Sequence, residues 1–167
     1  MQASSIKIAW KVILAHGIYI AVLGLVWIFS TKTIGVSQFT SSTGESWSDF
    51  LASNPKPAEL LIMETKLLGA MVLVIGLFVA LVAWKSYSKA EKWSWCTFLV
   101  TGIIGWGSSL NYYMAVGCPT GLVMVYVGIV LFVIGIALPA KAILGKEDAG
   151  KWQGLKKTVT PIKVFRP

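Results

Sequence analysis

Residues 93–140 read "WSWCTFLVTGIIGWGSSLNYYMAVGCPTGLVMVYVGIVLFVIGIALPA", 48 residues without a single Asp, Glu, Lys, Arg or His. A helix rises 1.5 Å per residue and crosses a hydrocarbon core of about 30 Å with about 20 apolar residues. The stretch is more than twice that length, and Gly117, Cys118 and Pro119 interrupt it near the middle. Two antiparallel spans joined by a tight turn account for it, over about 93–114 and 119–141.

Upstream lie two more runs of the same kind. Residues 67–84 carry no charge over 18 positions, and residues 12–30 carry none besides the titratable His16. They place further spans at about 58–84 and 8–30. The expected fold is all-α, a four-helix transmembrane bundle over 1–145, followed by a basic cytoplasmic tail over 146–167. Composition agrees. The chain is 56% hydrophobic and 13% charged with mean hydropathy +0.72, where soluble domains carry roughly 25% charge. Its 167 residues make one domain. The first apolar run is too long for a signal-peptide core, and no small-residue cleavage site stands out after Ser30, so this helix is expected to stay in the mature protein.

The formal charge of +8 raises the question of nucleic acid, above all at "WKSYSKAEKWSW" (84–95). The positions of the basic residues answer it. Twelve of them (Lys7, Lys11, Lys85, Lys89, Lys92, Lys141, Lys146, Lys151, Lys156, Lys157, Lys163 and Arg166) fall at the N-terminus, the second connection and the tail. Only Lys32, Lys56 and Lys66 fall in or near the first loop. With four spans the twelve share one side, which the positive-inside rule makes cytoplasmic. Both termini are then cytoplasmic, in a membrane that is expected to be the plasma membrane of a prokaryote. Trp10, Trp84, Trp93 and Trp95 become headgroup-level anchors, and no nucleic-acid partner is implied. The tail carries seven basic residues against two acids over 141–167, suited to anionic lipid at about 1 kcal/mol per basic residue or to an acidic partner. No lipidation signal stands at either end.

The first loop holds "TGESWSDFLASNPKPAEL" (43–60), expected to form a short extracytoplasmic amphipathic helix over 46–53 with Trp47, Phe50 and Leu51 on its apolar side. Asn54-Pro55-Lys56-Pro57 breaks it, and Pro57 suits the first turn of the next helix, with Glu59 near its positive end. The pattern Thr43, Gly44, Ser46, Trp47, Phe50, then Asn54-Pro55, then Lys66 and Gly69, then Tyr87, Glu91, Trp93 and Trp95 resembles a group of small four-span bacterial and archaeal membrane proteins, loosely DoxX-like. The resemblance covers roughly residues 24–95, has lysine where arginine is more usual, and implies the four-span topology without any catalytic residue.

Glycines recur at seven-residue spacing in three spans: Gly17 and Gly24, Gly69 and Gly76, Gly121, Gly128 and Gly135. That spacing keeps small residues on one seam of a left-handed bundle and reads as interior packing. The only histidine, His16, lies about 7–8 Å inward from Lys11. With no second ligand at its depth, a hydrogen bond across the bundle, for example to Thr97, is expected rather than haem ligation. Cys96 and Cys118 sit at opposite ends of span three, roughly 30 Å apart, and do not pair. No cofactor and no metal is expected.

The remaining polar residues gather toward the outer side. Glu64 and Lys66 enter span two, while Ser108, Ser109, Asn111, Tyr112 and Tyr113 end span three. Lys66, three residues before Gly69, is expected to face the bundle; Glu64, about 140° from Gly69, is not. With Trp47 and Phe50 as a lid, these residues are the candidate ligand or partner contacts. They contain no nucleophile, base and orienter, and no paired intramembrane carboxylates. The expected role is a non-catalytic accessory subunit among other integral membrane subunits of a respiratory or monooxygenase complex, in contact with membrane lipids. The alternative is a binding protein for a small amphiphile, a quinone or lipid, or a small transporter. Topology is testable by cysteine labelling: Ser42→Cys should react with an impermeant reagent from outside and Ser88→Cys only from inside.

Overall fold

The structure, a computed structural model, describes residues 2–158, with side chains over 6–144. Six helices follow one another: α1 (Gln2–Phe29), α2 (Thr31–Thr43), α3 (Trp47–Ser53), α4 (Pro55–Lys85), α5 (Lys92–Val116) and α6 (Pro119–Thr158). A 3-10 turn at Tyr87–Lys89 joins α4 to α5, and there is no strand among the described residues. Three segments are long and apolar enough to cross a membrane: Ile6–Phe29, Pro55–Lys89 and Pro119–Leu144. Helix α5 falls short of that measure because Gly, Ser, Thr, Asn and Tyr dilute its apolar residues.

The breaks between helices follow local chemistry. Gly117 takes φ +68° with its N–H on the Tyr113 carbonyl at 3.1 Å, and Pro119 opens α6 two residues later. Helix α3 begins after Ser46 and ends at Asn54, and α4 starts with Pro55, two residues before the expected proline. Helix α2 was not expected, since "TKTIGVSQFTSST" is rich in β-branched and hydroxyl residues with little helix preference. Thr31 anchors its start by donating to the Trp27 and Ile28 carbonyls, both at 2.7 Å. Gly35 lets it settle on Ile62 and Thr65 of α4, and its buried Phe39 stacks on Phe50 at 4.4 Å. Helix α6 runs through part of the segment assigned to the tail. The tail's contacts with lipid or partner lie outside the described residues.

Helices α1 and α4 are antiparallel and meet backbone to backbone. A methyl group on Gly17 would sit 2.6 Å from the Ala80 amide nitrogen, on Gly24 2.6 Å from Leu73 Cα, and on Gly76 2.7 Å from Ala21 Cα. Gly69 meets the Trp27 side chain in the same way, at 2.8 Å. With no driving force from water inside a bilayer, such close approach is what lets van der Waals contact hold helices together. Helices α5 and α6 use glycine differently, as sockets for rings: Tyr113 lies on Gly121, Trp106 on Gly128, and Phe132 of α6 on Gly102 of α5. These three pairs share one antiparallel register. Gly135 receives Ile13 of α1, which joins the two hairpins.

Pro139 lies inside α6 and is fully buried. It cannot donate the N–H that the Gly135 carbonyl would accept. The Tyr87 hydroxyl donates to that carbonyl instead, at 2.7 Å, and the Trp95 indole N–H donates to the next carbonyl, Ile136, at 3.0 Å. Trp95 is thus a partly buried clamp rather than a headgroup anchor, whereas Trp84 and Trp93 are 59% and 53% exposed. Tyr87 also packs edge-on against Phe98, and with Ala9, Ile13, Ala83, Phe132 and Ile136 they form the buried core at this end of the bundle.

The order of closest packing is α4 on α1, α1 on α6 and α6 on α5, while α4 and α5 scarcely approach each other. Two tests follow. Gly24→Ala should cost about 1–3 kcal/mol, since the clash is with backbone, while Gly107→Ala, with open space around it, should be neutral or gain up to about 1 kcal/mol of helix propensity; thermal unfolding in detergent reads both. Tyr87→Phe should cost about 1–3 kcal/mol by orphaning the Gly135 carbonyl, and the cost should shrink in a Pro139→Ala background, where the helix supplies its own donor.

Candidate functional site

Where α4 and α5 stand apart, a cavity of about 460 Å³ lies between α1, α4, α5 and α6. Each wall has its own character. Helix α1 contributes Ile13, His16, Ile20, Leu23 and Trp27, and α4 contributes Leu68, Val72, Ile75 and Val79 from one side of the helix. Met124, Val125 and Phe132 close it from α6. The α5 wall is different, with Phe98, Thr101, Gly102, Gly105 and Trp106 below Ser108, Ser109, Tyr112 and Tyr113. Thr101, Gly105, Ser108 and Tyr112 recur at spacings of four, three and four, which aligns them on one face of a helix.

Polar groups in this wall are tied down locally. Thr101 donates to the Thr97 carbonyl at 2.7 Å and Ser109 to the Gly105 carbonyl at 2.8 Å. At the upper rim Tyr112 OH lies 3.4 Å from Gln38 Oε1 of α2. Among the described residues, two polar contacts at mid-depth run between helices: the Tyr19 hydroxyl donates to the Met124 carbonyl at 2.7 Å, and the Trp106 indole N–H donates to His16 Nε2 at 3.1 Å, with the rings tilted at 5.4 Å. His16 is 4% exposed. Its partner is therefore Trp106; Thr97, the partner considered from sequence, donates within α5 to the Trp93 carbonyl.

The nine candidate contacts separate into groups. Ser108, Ser109, Tyr112 and Tyr113 line the cavity. Trp47 and Phe50 do not; they enclose Phe39 at ring distances of 5.4 and 4.4 Å and bind α3 to α2. Asn111, Glu64 and Lys66 are exposed. Lys66 does not turn into the bundle as expected. The buried seam of α4 runs through Ala58, Thr65, Gly69, Gly76 and Ala83, and Lys66 lies about 80° around the helix from it, on the side away from the cavity. Glu64 instead stands one turn before Leu68, on the cavity side.

Sequence reasoning missed Trp106 as a site residue and did not connect it to His16. The available signal was that this indole sits mid-span between Gly105 and Gly107, away from both interfaces where tryptophan collects. Among the described residues no group of three His, Cys, Asp or Glu is placed to hold a metal ion. Compared with protein-family models, with curated proteins and with solved structures, the chain matches none.

Proposed function

We propose that the chain is a four-span integral membrane protein with both termini cytoplasmic that binds a small amphiphile without transforming it. The observation that carries this reading is the cavity of about 460 Å³ among the long helices, within the roughly 300–1,000 Å³ of small-molecule sites and of the usual kind, apolar walls with a few polar groups. Because α4 and α5 scarcely approach each other, the gap between them is the side from which a lipid-soluble molecule would enter.

Register supports a fourth crossing. Helix α5 is 25 residues long, about 37 Å. It is keyed to α6 at Tyr113–Gly121, Trp106–Gly128 and Gly102–Phe132, all within the apolar part of α6. If α6 crosses, α5 lies at the same depth beside it. The accessory-subunit reading has no feature of comparable definition behind it, and the cavity moves the balance to binding. The loose likeness to small DoxX-like proteins is compatible with either role.

The test is copurification. Protein extracted in mild detergent should carry one amphiphile per chain by native mass spectrometry. Gly105→Leu, which adds bulk where the cavity wall is open, should fold normally and lose most of it. Equal amounts in the two proteins, or none in either, would overturn the binding reading. Stable comigration with the subunits of a larger enzyme, without bound amphiphile, would restore the accessory reading.

A further inference from the structure

Resting on the binding reading, we propose that the cavity's occupant is an uncharged amphiphile bearing a carbonyl oxygen, and that this oxygen accepts a hydrogen bond from His16 Nδ1–H at mid-depth. The first step is the direction of one hydrogen bond. An indole N–H only donates, so His16 Nε2, 3.1 Å from Trp106 Nε1, presents its lone pair. A neutral imidazole with a bare Nε2 carries its proton on Nδ1. That N–H is a donor in need of an acceptor.

Nothing in the described protein supplies one. The contact with Trp106 is the hydrogen bond His16 makes among the described residues. Every side-chain nitrogen or oxygen fully cut off from open space has a partner there, so Nδ1 is not cut off, and the space His16 borders is the cavity. A histidine 4% exposed thus offers one unpartnered donor to a mostly apolar chamber whose hydroxyl side chains come from α5. Leaving such a donor unmet in a membrane interior is costly.

The walls narrow the class of acceptor. None of the cavity-lining residues is Asp, Glu, Lys or Arg, so a phosphate or carboxylate would enter with no countercharge. Water would need two to four polar partners. The flanking Ile13, Ile20, Val72 and Ile75 offer none from their side chains, and on the α5 side the Thr101 hydroxyl and the Trp106 indole already donate to the Thr97 carbonyl and to His16. A carbonyl on an apolar body asks for one donor and otherwise hydrophobic contact. His16 is 10 residues from Ile6 and 13 from Phe29, about 15 and 20 Å along the axis, so the carbonyl sits deep and the rest of the molecule runs along the α4–α5 gap. Two sources share this chemistry: a quinone, whose carbonyls are on its ring, and a glycerol ester, whose carbonyl begins its acyl chain.

His16 is the single histidine of the chain, so ¹⁵N-histidine labelling yields one imidazole signal. The protein is placed in nanodiscs of ether-linked phospholipid, which lack ester carbonyls, and titrated separately with a short-chain benzoquinone and with a monoacylglycerol. The expected result is that one probe moves the Nδ1–H resonance downfield while Nε2 stays unprotonated, and the responding probe identifies the source. His16→Phe should weaken that probe about three- to thirtyfold, the worth of one hydrogen bond inside a membrane protein. Trp106→Phe should do so more mildly by releasing the tautomer. Should His16→Phe fail to fold, the wild-type resonance decides alone. If either probe binds by equilibrium dialysis and leaves the imidazole signal unmoved, the carbonyl assignment is wrong and the binding reading stands. If neither binds and no lipid copurifies, both fall.

Discussion

Everything in this molecule depends on how closely α1 and α4 approach. Gly17, Gly24 and Gly76 put main chain against main chain, and Gly69 seats the Trp27 side chain beside the Ile28 backbone, which leaves little to adjust the fit. Such a contact has one workable register and tolerates little sliding, so α1 and α4 behave as a single stiff unit. Helix α1 then presents its remaining surface to α6, with Ile13 filling the space over Gly135. Because α1 is engaged on two sides, α5 is left to rest on α6. The open side of the bundle is the geometric result of a small-residue contact on the opposite side.

The two hairpins show two uses of the same residue type. In α1 and α4 glycine brings backbones together; in α5 and α6 it receives rings, which hold the backbones apart. Sockets for Tyr113, Trp106 and Phe132 keep α5 at a distance set by aromatic thickness. That distance leaves Trp106 tilted toward α1, where its N–H finds His16. Helix spacing and the polar contact at mid-depth therefore have one cause.

Much of this was legible in the sequence, and the parts that were not have physical reasons. Hydropathy and length located all four long helices, and the seven-residue glycine spacing announced packing, because both are local properties of one chain segment. Spacing alone did not reveal that Gly128 would face an indole and Gly24 a backbone, since that depends on which helix arrives opposite. Helix α2 was invisible because its residues prefer helix only once Phe39 and Gly35 have something to pack on. Lys66 was misjudged by taking Gly69 as the centre of the seam, when Thr65 and Gly76 shift that centre away from it. Tyr87 and Trp95 stand out in the sequence as a pattern, but their meaning lies 48 and 41 residues away, at the carbonyls of Gly135 and Ile136.

The modest apolarity of α5 bears on how the chain is made. On the proposed topology, a helix diluted by Thr101, Gly105, Ser108, Ser109 and Asn111 partitions weakly into lipid when it emerges alone, because insertion follows summed residue hydrophobicity. Helix α6 is the more apolar partner and follows after a two-residue turn at Gly117 and Cys118. The economical route into the bilayer is as a preformed pair, with the rings of α5 already seated on the glycines of α6. Biosynthesis would then commit the α5–α6 hairpin as one event, and the chamber beside it would come into being only when that pair meets the earlier α1–α4 unit.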